Sequence, residues 1–251
     1  MNWQRVDTLP LDVGSGIAAG RALAIAAALT RRTIPLLRSI DGRAEPLASA
    51  ALVADAGRAL LLTCRHVFDD GVALDELGVP LAGSGAVAWL RAARARVLVH
   101  PRRDVALIAI GAQRFADELR RHWRTVPLDT GAAFRAGCAF VVAGYPYAQM
   151  RRRAAVVLAR PLVLFARGAL EHDALRVEYR HTARRIDGIE VHAPPLDGVS
   201  GALCWAITDE RDDDLGCRLQ PAAVQVAFKH DAYARAEPLV DLDVLTRRLR
   251  G

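Results

Sequence analysis

The chain has 251 residues, 52% of them hydrophobic and 25% charged, which is enough apolar surface for a core and excludes disorder as the dominant state. Its 34 basic residues outnumber 28 acidic ones, giving a formal charge of +6. The arginines fall in short scattered clusters, Arg102-Arg103, Arg151 to Arg153, Arg184-Arg185 and Arg247-Arg248, so they read as a solvated surface and argue against a nucleic-acid partner.

Residues 1–14 look irregular, with Pro10 and Gly14. Residues 15–31, SGIAAGRALAIAAALTR, predict a helix, with Ser15 placed to cap it. This apolar stretch follows Asp7 and Asp12 and is interrupted by Arg21, so it does not read as a secretory signal. No uninterrupted apolar run of about 18 residues occurs, so no membrane span is expected.

From Thr33 the period changes. TIPLLRS, ASAALVA and ALLLTC are short β-compatible runs separated by turns at Asp41-Gly42 and Ala56-Gly57. Further strands are expected at 86–90, 95–100, 104–110, 138–143, 155–165, 174–180, 202–208 and 221–229. Many short strands with frequent turns point to an all-β sandwich or a pair of barrels. Residues 113–123 read as a connecting helix, and LVDLDVLTRRLR as a C-terminal one with arginines in its last turn. The expected organisation is an N-terminal extension over 1–32 and one domain over 33–251, with two β halves joined somewhere in 111–135.

Cys64, Cys138, Cys204 and Cys217 show no C-x-x-C pair and no metal-ligand spacing. Cys64, Cys138 and Cys204 sit in apolar runs and read as small buried thiols. A reduced, cytoplasmic setting without metal or cofactor is expected. His100, His172, His181, His192 and His230 likewise show no metal spacing, and Asp212 to Asp214 read as a solvated loop rather than a Ca²⁺ site.

Three segments carry candidate chemistry. PPLDGVSGALCW, residues 194–205, places Ser200 between Gly198 and Gly201, just before an apolar strand, where a tight turn could display a nucleophile. ALLLTCRHVFDD, residues 59–70, ends a strong apolar strand next to His66. VLVHPRRDVALIAI, residues 97–110, sets Asp104 at the entry to another such strand. An ionised Asp there needs a partner, and an imidazole N–H is a suitable one. Asp69-Asp70 also lie close to His66, but they sit in a turn, whereas Asp104 opens a buried strand. Trp205 reads as core.

These motifs resemble those of the trypsin-like serine peptidases, bacterial cytoplasmic type. LLTCRHVF resembles the "LTAAHV" stretch around their histidine, RRDVALIAI their aspartate strand, and GVSGAL their "G-x-S-G-G-P". The order His, Asp, Ser matches, and GYPYAQM after CAFVVAG resembles the "G-Y-P" of bacterial members. The resemblance runs from about residue 33 to about residue 245. It implies two packed six-stranded antiparallel barrels with the site between them. It further implies a Ser-His-Asp endopeptidase with His66 as general base, Asp104 as its orienting carboxylate, Ser200 as nucleophile, and the N–H groups of Gly198 and Ser200 as oxyanion hole. The partner implied is a protein or peptide substrate.

Departures from the pattern stand beside it. Val199 precedes the serine where secreted zymogens carry an Asp, so activation by a new N-terminus is not available. Ala202 and Leu203 replace a glycine and a proline, and no Cys follows His66. These leave room for an activating protein partner, or for a peptidase-fold interaction module with latent or absent hydrolysis. Pro194, at the expected pocket floor, gives no acidic group there, which implies a small or apolar side chain at the cut site.

Overall fold

The computed structural model describes residues 2–69, 71–128, 138–153, 156–208 and 215–250. Two short strands, β1 (Asn2–Arg5) and β2 (Leu11–Val13), precede helix α1 (Ala19–Leu29). Then come β3 (Ile34–Ile40), β4 (Arg43–Asp55), β5 (Arg58–Thr63), β6 (Leu77–Pro80), β7 (Val87–Trp89), β8 (Arg96–Val99) and β9 (Ala106–Ala109). Helix α2 (Gln113–His122) and the two-residue β10 (Val126–Pro127) follow. Next are β11 (Ala139–Gly144), β12 (Met150–Arg153), β13 (Val156–Ala159), β14 (Leu162–Glu171), β15 (Ala174–Glu178), β16 (Thr182–Arg185) and β17 (Glu190–His192). The last elements are β18 (Leu203–Thr208), β19 (Arg218–Lys229), β20 (Tyr233–Pro238) and helix α3 (Asp243–Arg250).

Strands hold 48% of the chain, which sets the class as all-β with added helices. The ladder β11-β18-β19-β20-β15-β14 closes on itself through antiparallel β11–β14 pairing, making a six-stranded barrel. The other large sheet runs β7-β6-β3-β4-β5-β9-β8, with β10 beside β4. Among the described residues no ladder joins β7 to β8, so this sheet is not closed by pairing. The chain crosses from one sheet to the other between β10 and β11. Most of that crossing, 129–137, lies outside the described residues, as do Asp70 and Asp212 to Asp214.

The turns expected at Asp41-Gly42 and Ala56-Gly57 join β3 to β4 and β4 to β5. All four residues have positive φ (50° and 73°, then 46° and 80°), the backbone of the mirror-image hairpin turn that matches strand twist. Helix α1 buries Ala22, Ile25, Ala26 and Leu29, one helical stripe. Ser15 does not cap it: the helix begins after Ala18, and the Ser15 hydroxyl bonds Asp12 while accepting the Ile17 N–H. Gly16, at φ 77°, turns the backbone away from a helical start.

Two further sequence expectations change. Residues 1–14 are irregular only in part, because β1 pairs parallel to β13 and β2 parallel to β14, with 6–10 between them outside any strand. Strands of three or four residues take that form from their partners, and period alone does not reveal them. The run 155–165 is not one strand but β13 and β14, broken at Arg160-Pro161, where proline supplies no N–H to the ladder.

Alternation within the barrel strands sorts side chains between two cores. Phe140 and Val142 of β11 point into one cluster with Leu164 of β14 and Cys204 of β18. Val141, Ala143, Phe165 and Trp205, one step out of phase, join the cluster that also holds Leu52, Leu61 and Leu107 of the other sheet. Both faces of these strands are buried, which is why the sequence there reads as continuous apolar runs. Trp205 is 3% exposed, a core residue as expected.

Candidate active site

Strands β5 and β9 pair antiparallel with Thr63 opposite Ala106. The end of β5 and the start of β9 therefore lie at one edge of the sheet. A 3-10 turn over Arg65–Phe68 follows β5 and carries His66; Asp104 stands two residues before Ala106. The register alone thus brings together two residues 38 apart. His66 Nδ1 lies 2.7 Å from Asp104 Oδ2, and the His66 backbone N–H donates to Oδ1 at 2.9 Å. One carboxylate holds both the ring and its backbone.

Asp104 feels opposed influences. Burial would raise its pKa, but hydrogen bonds from the His66 ring and the His66 backbone outweigh that and hold it below the ordinary carboxylate range. The His66 pKa is pushed up to about 10, first by the bond to Asp104 and then by Cys64, with burial working the other way.

Ser200 sits in the turn between β17 and β18, flanked by Gly198 at φ 87° and Gly201 at φ 90°. Both glycines are required by space as well as by φ. A Cβ on Gly198 would lie 2.4 Å from the Tyr147 ring, and one on Gly201 would lie 2.0 Å from Ser49 O. The turn is stapled to β4 of the other sheet. Ser49 N–H donates to Ser200 O at 2.7 Å, and the Ser49 hydroxyl donates to Gly198 O at 2.9 Å while accepting Tyr145 N–H at 3.0 Å. Thr63 Oγ1 in turn donates to Ser49 O at 2.8 Å.

This stapling orients donors. Asp197 O accepts Tyr147 N–H at 2.8 Å, and a trans peptide points its N–H opposite its C=O, so the Gly198 N–H faces away from Tyr147 N. Gly198 and Ser200 thus carry two backbone N–H groups without a protein acceptor among the described residues.

His66, Gly198 and Ser200 line one cleft of about 410 Å³, with Leu47, Val67, Val226 and Phe228 as apolar wall and Arg38, Tyr147 and Asp197 as polar groups. Within it, Ser200 Oγ does not bond His66. It donates to Val226 O at 3.4 Å, while His66 Nε2 lies 3.4 Å from Cys64 Sγ. Pro194 is not part of the cleft wall; its carbonyl accepts the Tyr179 hydroxyl at 2.6 Å.

Asp69 lies beside Arg65 at 3.9 Å rather than on the imidazole. Ser49 carries no motif signal of its own, and the motifs that contain Thr63 and Tyr147 do not say what those side chains hold. Ser49 stands in a run of small residues, and only the fold shows what its hydroxyl holds. Among the described residues no group of three His, Cys, Asp or Glu could hold a metal ion. Comparison with protein-family models finds no match, and comparison with curated proteins finds none either.

Proposed function

We propose that the chain is a trypsin-like serine endopeptidase acting through His66, Asp104 and Ser200. The observation that carries this reading is the shared cleft, with an Asp-held imidazole and a glycine-flanked serine on its wall. The closed barrel supports it, and the reading takes the β3 to β9 sheet as the second barrel of the pair.

In the reaction, neutral His66 accepts the Ser200 hydroxyl proton at Nε2 as Oγ bonds the acyl carbon. The carbonyl oxygen becomes an oxyanion between the Gly198 and Ser200 N–H groups, where one donor is worth about 3 kcal/mol of barrier. His66 returns the proton to the departing amine. Water, deprotonated by the same imidazole, then releases the acid and restores Ser200. The apolar wall suits a small or apolar side chain at the cut site. No helix among the described residues is long and apolar enough to cross a membrane; a cytoplasmic setting and an activating protein partner belong to this proposal.

One observation favours a second reading, a peptidase-fold interaction or regulatory module: the Ser200 hydroxyl turns to Val226 O and not to His66. Labelling with a fluorophosphonate separates the two, since only an activated serine reacts quickly. The endopeptidase reading expects labelling of the natural protein and loss of it in Ser200→Ala and His66→Ala. Labelling that survives Ser200→Ala overturns it, and no labelling under any pH leaves the module.

A further inference from the structure

The hydrogen bond a serine hydrolase needs, Oγ to Nε2, is unmade at both ends. Ser200 Oγ is on Val226 O and His66 Nε2 is on Cys64 Sγ, each at 3.4 Å. The sulfur is fully buried and is not part of the cleft wall, so it lies beneath the imidazole and out of reach of a substrate. A nucleophilic role for Cys64 is excluded by that placement. A role through His66 is not.

We propose that Cys64 is a positioning residue, which holds the His66 imidazole in a resting arrangement until Nε2 passes from the Cys64 sulfur to the Ser200 oxygen. The proposal rests on the hydrolase reading above, because it assigns Nε2 a second destination at Ser200. The sulfur cannot follow the ring easily. Cys64 directly follows Thr63, whose hydroxyl is pinned to Ser49 O and whose backbone lies in the β5–β9 ladder. The ring can move, since Nδ1 keeps Asp104 as a pivot. A thiol is a weak hydrogen-bonding group, so a hydroxyl brought close by a bound acyl group can displace it at small cost.

Charge acts in the same direction. Asp104 and Cys64 both favour a protonated His66, and Tyr147, Asp197 and Arg38 face it across the cleft, with the Arg65–Asp69 pair on its own turn. A protonated imidazole cannot take the serine proton. Removing the thiol lowers the His66 pKa and raises the neutral fraction at neutral pH.

The test uses the full chain with Cys64→Ala, and Cys64→Ser as a close isostere. The titration of the His66 ring C–H is followed by NMR, assigned by its loss in His66→Ala, and fluorophosphonate labelling is timed across pH. Cys64→Ala is expected to move the His66 midpoint down and to speed labelling at pH 7 by the factor by which the neutral fraction rises, about tenfold for each pH unit the midpoint falls. Cys64→Ser is expected to fall between. An unchanged midpoint in Cys64→Ala, or slower labelling in a folded variant, overturns the role. A shifted midpoint with no labelling in any variant leaves Cys64 on the imidazole but removes the hydrolase reading, so the two failures are told apart.

Discussion

Ser49 shows how much a single hydroxyl can hold. Its oxygen stands between Gly198 O and Tyr145 N in a fully buried position, and its backbone N–H holds Ser200 O. Ser49→Ala keeps the backbone contact but leaves a buried carbonyl and a buried N–H without that partner. The expected cost is about 1–3 kcal/mol, read as a lower urea midpoint with an unchanged slope. Because the lost bond is on the Gly198 carbonyl, the candidate oxyanion donor loosens with it. Labelling of Ser200 should slow in the folded variant. A midpoint that falls with no change in labelling would make Ser49 a matter of stability alone.

Elements divide by whether their form comes from their own sequence. Strand β5 was legible because ALLLTC is a six-residue apolar or β-compatible run that follows the Ala56-Gly57 turn, whereas its ladder to β9 is seen only in the fold. Helix α1 was legible from its alanine and leucine content, though not its start, which the sequence placed at Ser15 and the fold places at Ala19. Strands β1 and β2 were not, since NWQR and LDV carry no period, and their pairing with β13 and β14 exists only in the fold. Yet β1 matters to packing. Trp3 is 4% exposed and sits edge-on to Trp123 at 6.1 Å and to Tyr145 at 6.2 Å, so the first residues brace the strand end that leads to Tyr147. Trp3→Ala should cost about 3–5 kcal/mol, the usual range for a buried tryptophan, and a thermal or urea midpoint measures it. A near-neutral result would mean that 1–5 is an appendage to the folded unit.

On the scale of the whole molecule, His66 and Asp104 come from one sheet and Ser200 from the other, so the cleft exists only where the two pack. The three residues could be picked from sequence because each ends or opens a strong apolar strand. What the thiol touches could not be, since Cys64 in an apolar run has the same local signal whether it faces a leucine or an imidazole. On the proposed reading, the raised His66 pKa, set first by Asp104 and then by the thiol, gives opposite pH responses for stability and reaction. The His66 pKa in the fold, about 10, lies above its ordinary 6.5, so its contribution to stability is complete below pH 6.5 and is lost as pH rises towards 10. Asp104 is lowered, so its contribution is present above its ordinary 3.8 and is lost as pH falls through its folded value. The pair stabilises the fold most between those limits. On the proposed endopeptidase reading, hydrolysis needs neutral His66 and should rise with pH over the range in which the fold gives up this support. Urea midpoints and labelling rates measured from pH 5 to pH 10 should therefore run in opposite directions in the natural protein. In His66→Gln the alkaline fall in midpoint should shrink and the labelling should vanish. Midpoints with the same alkaline fall in both proteins would assign the loss to groups other than the His66–Asp104 pair.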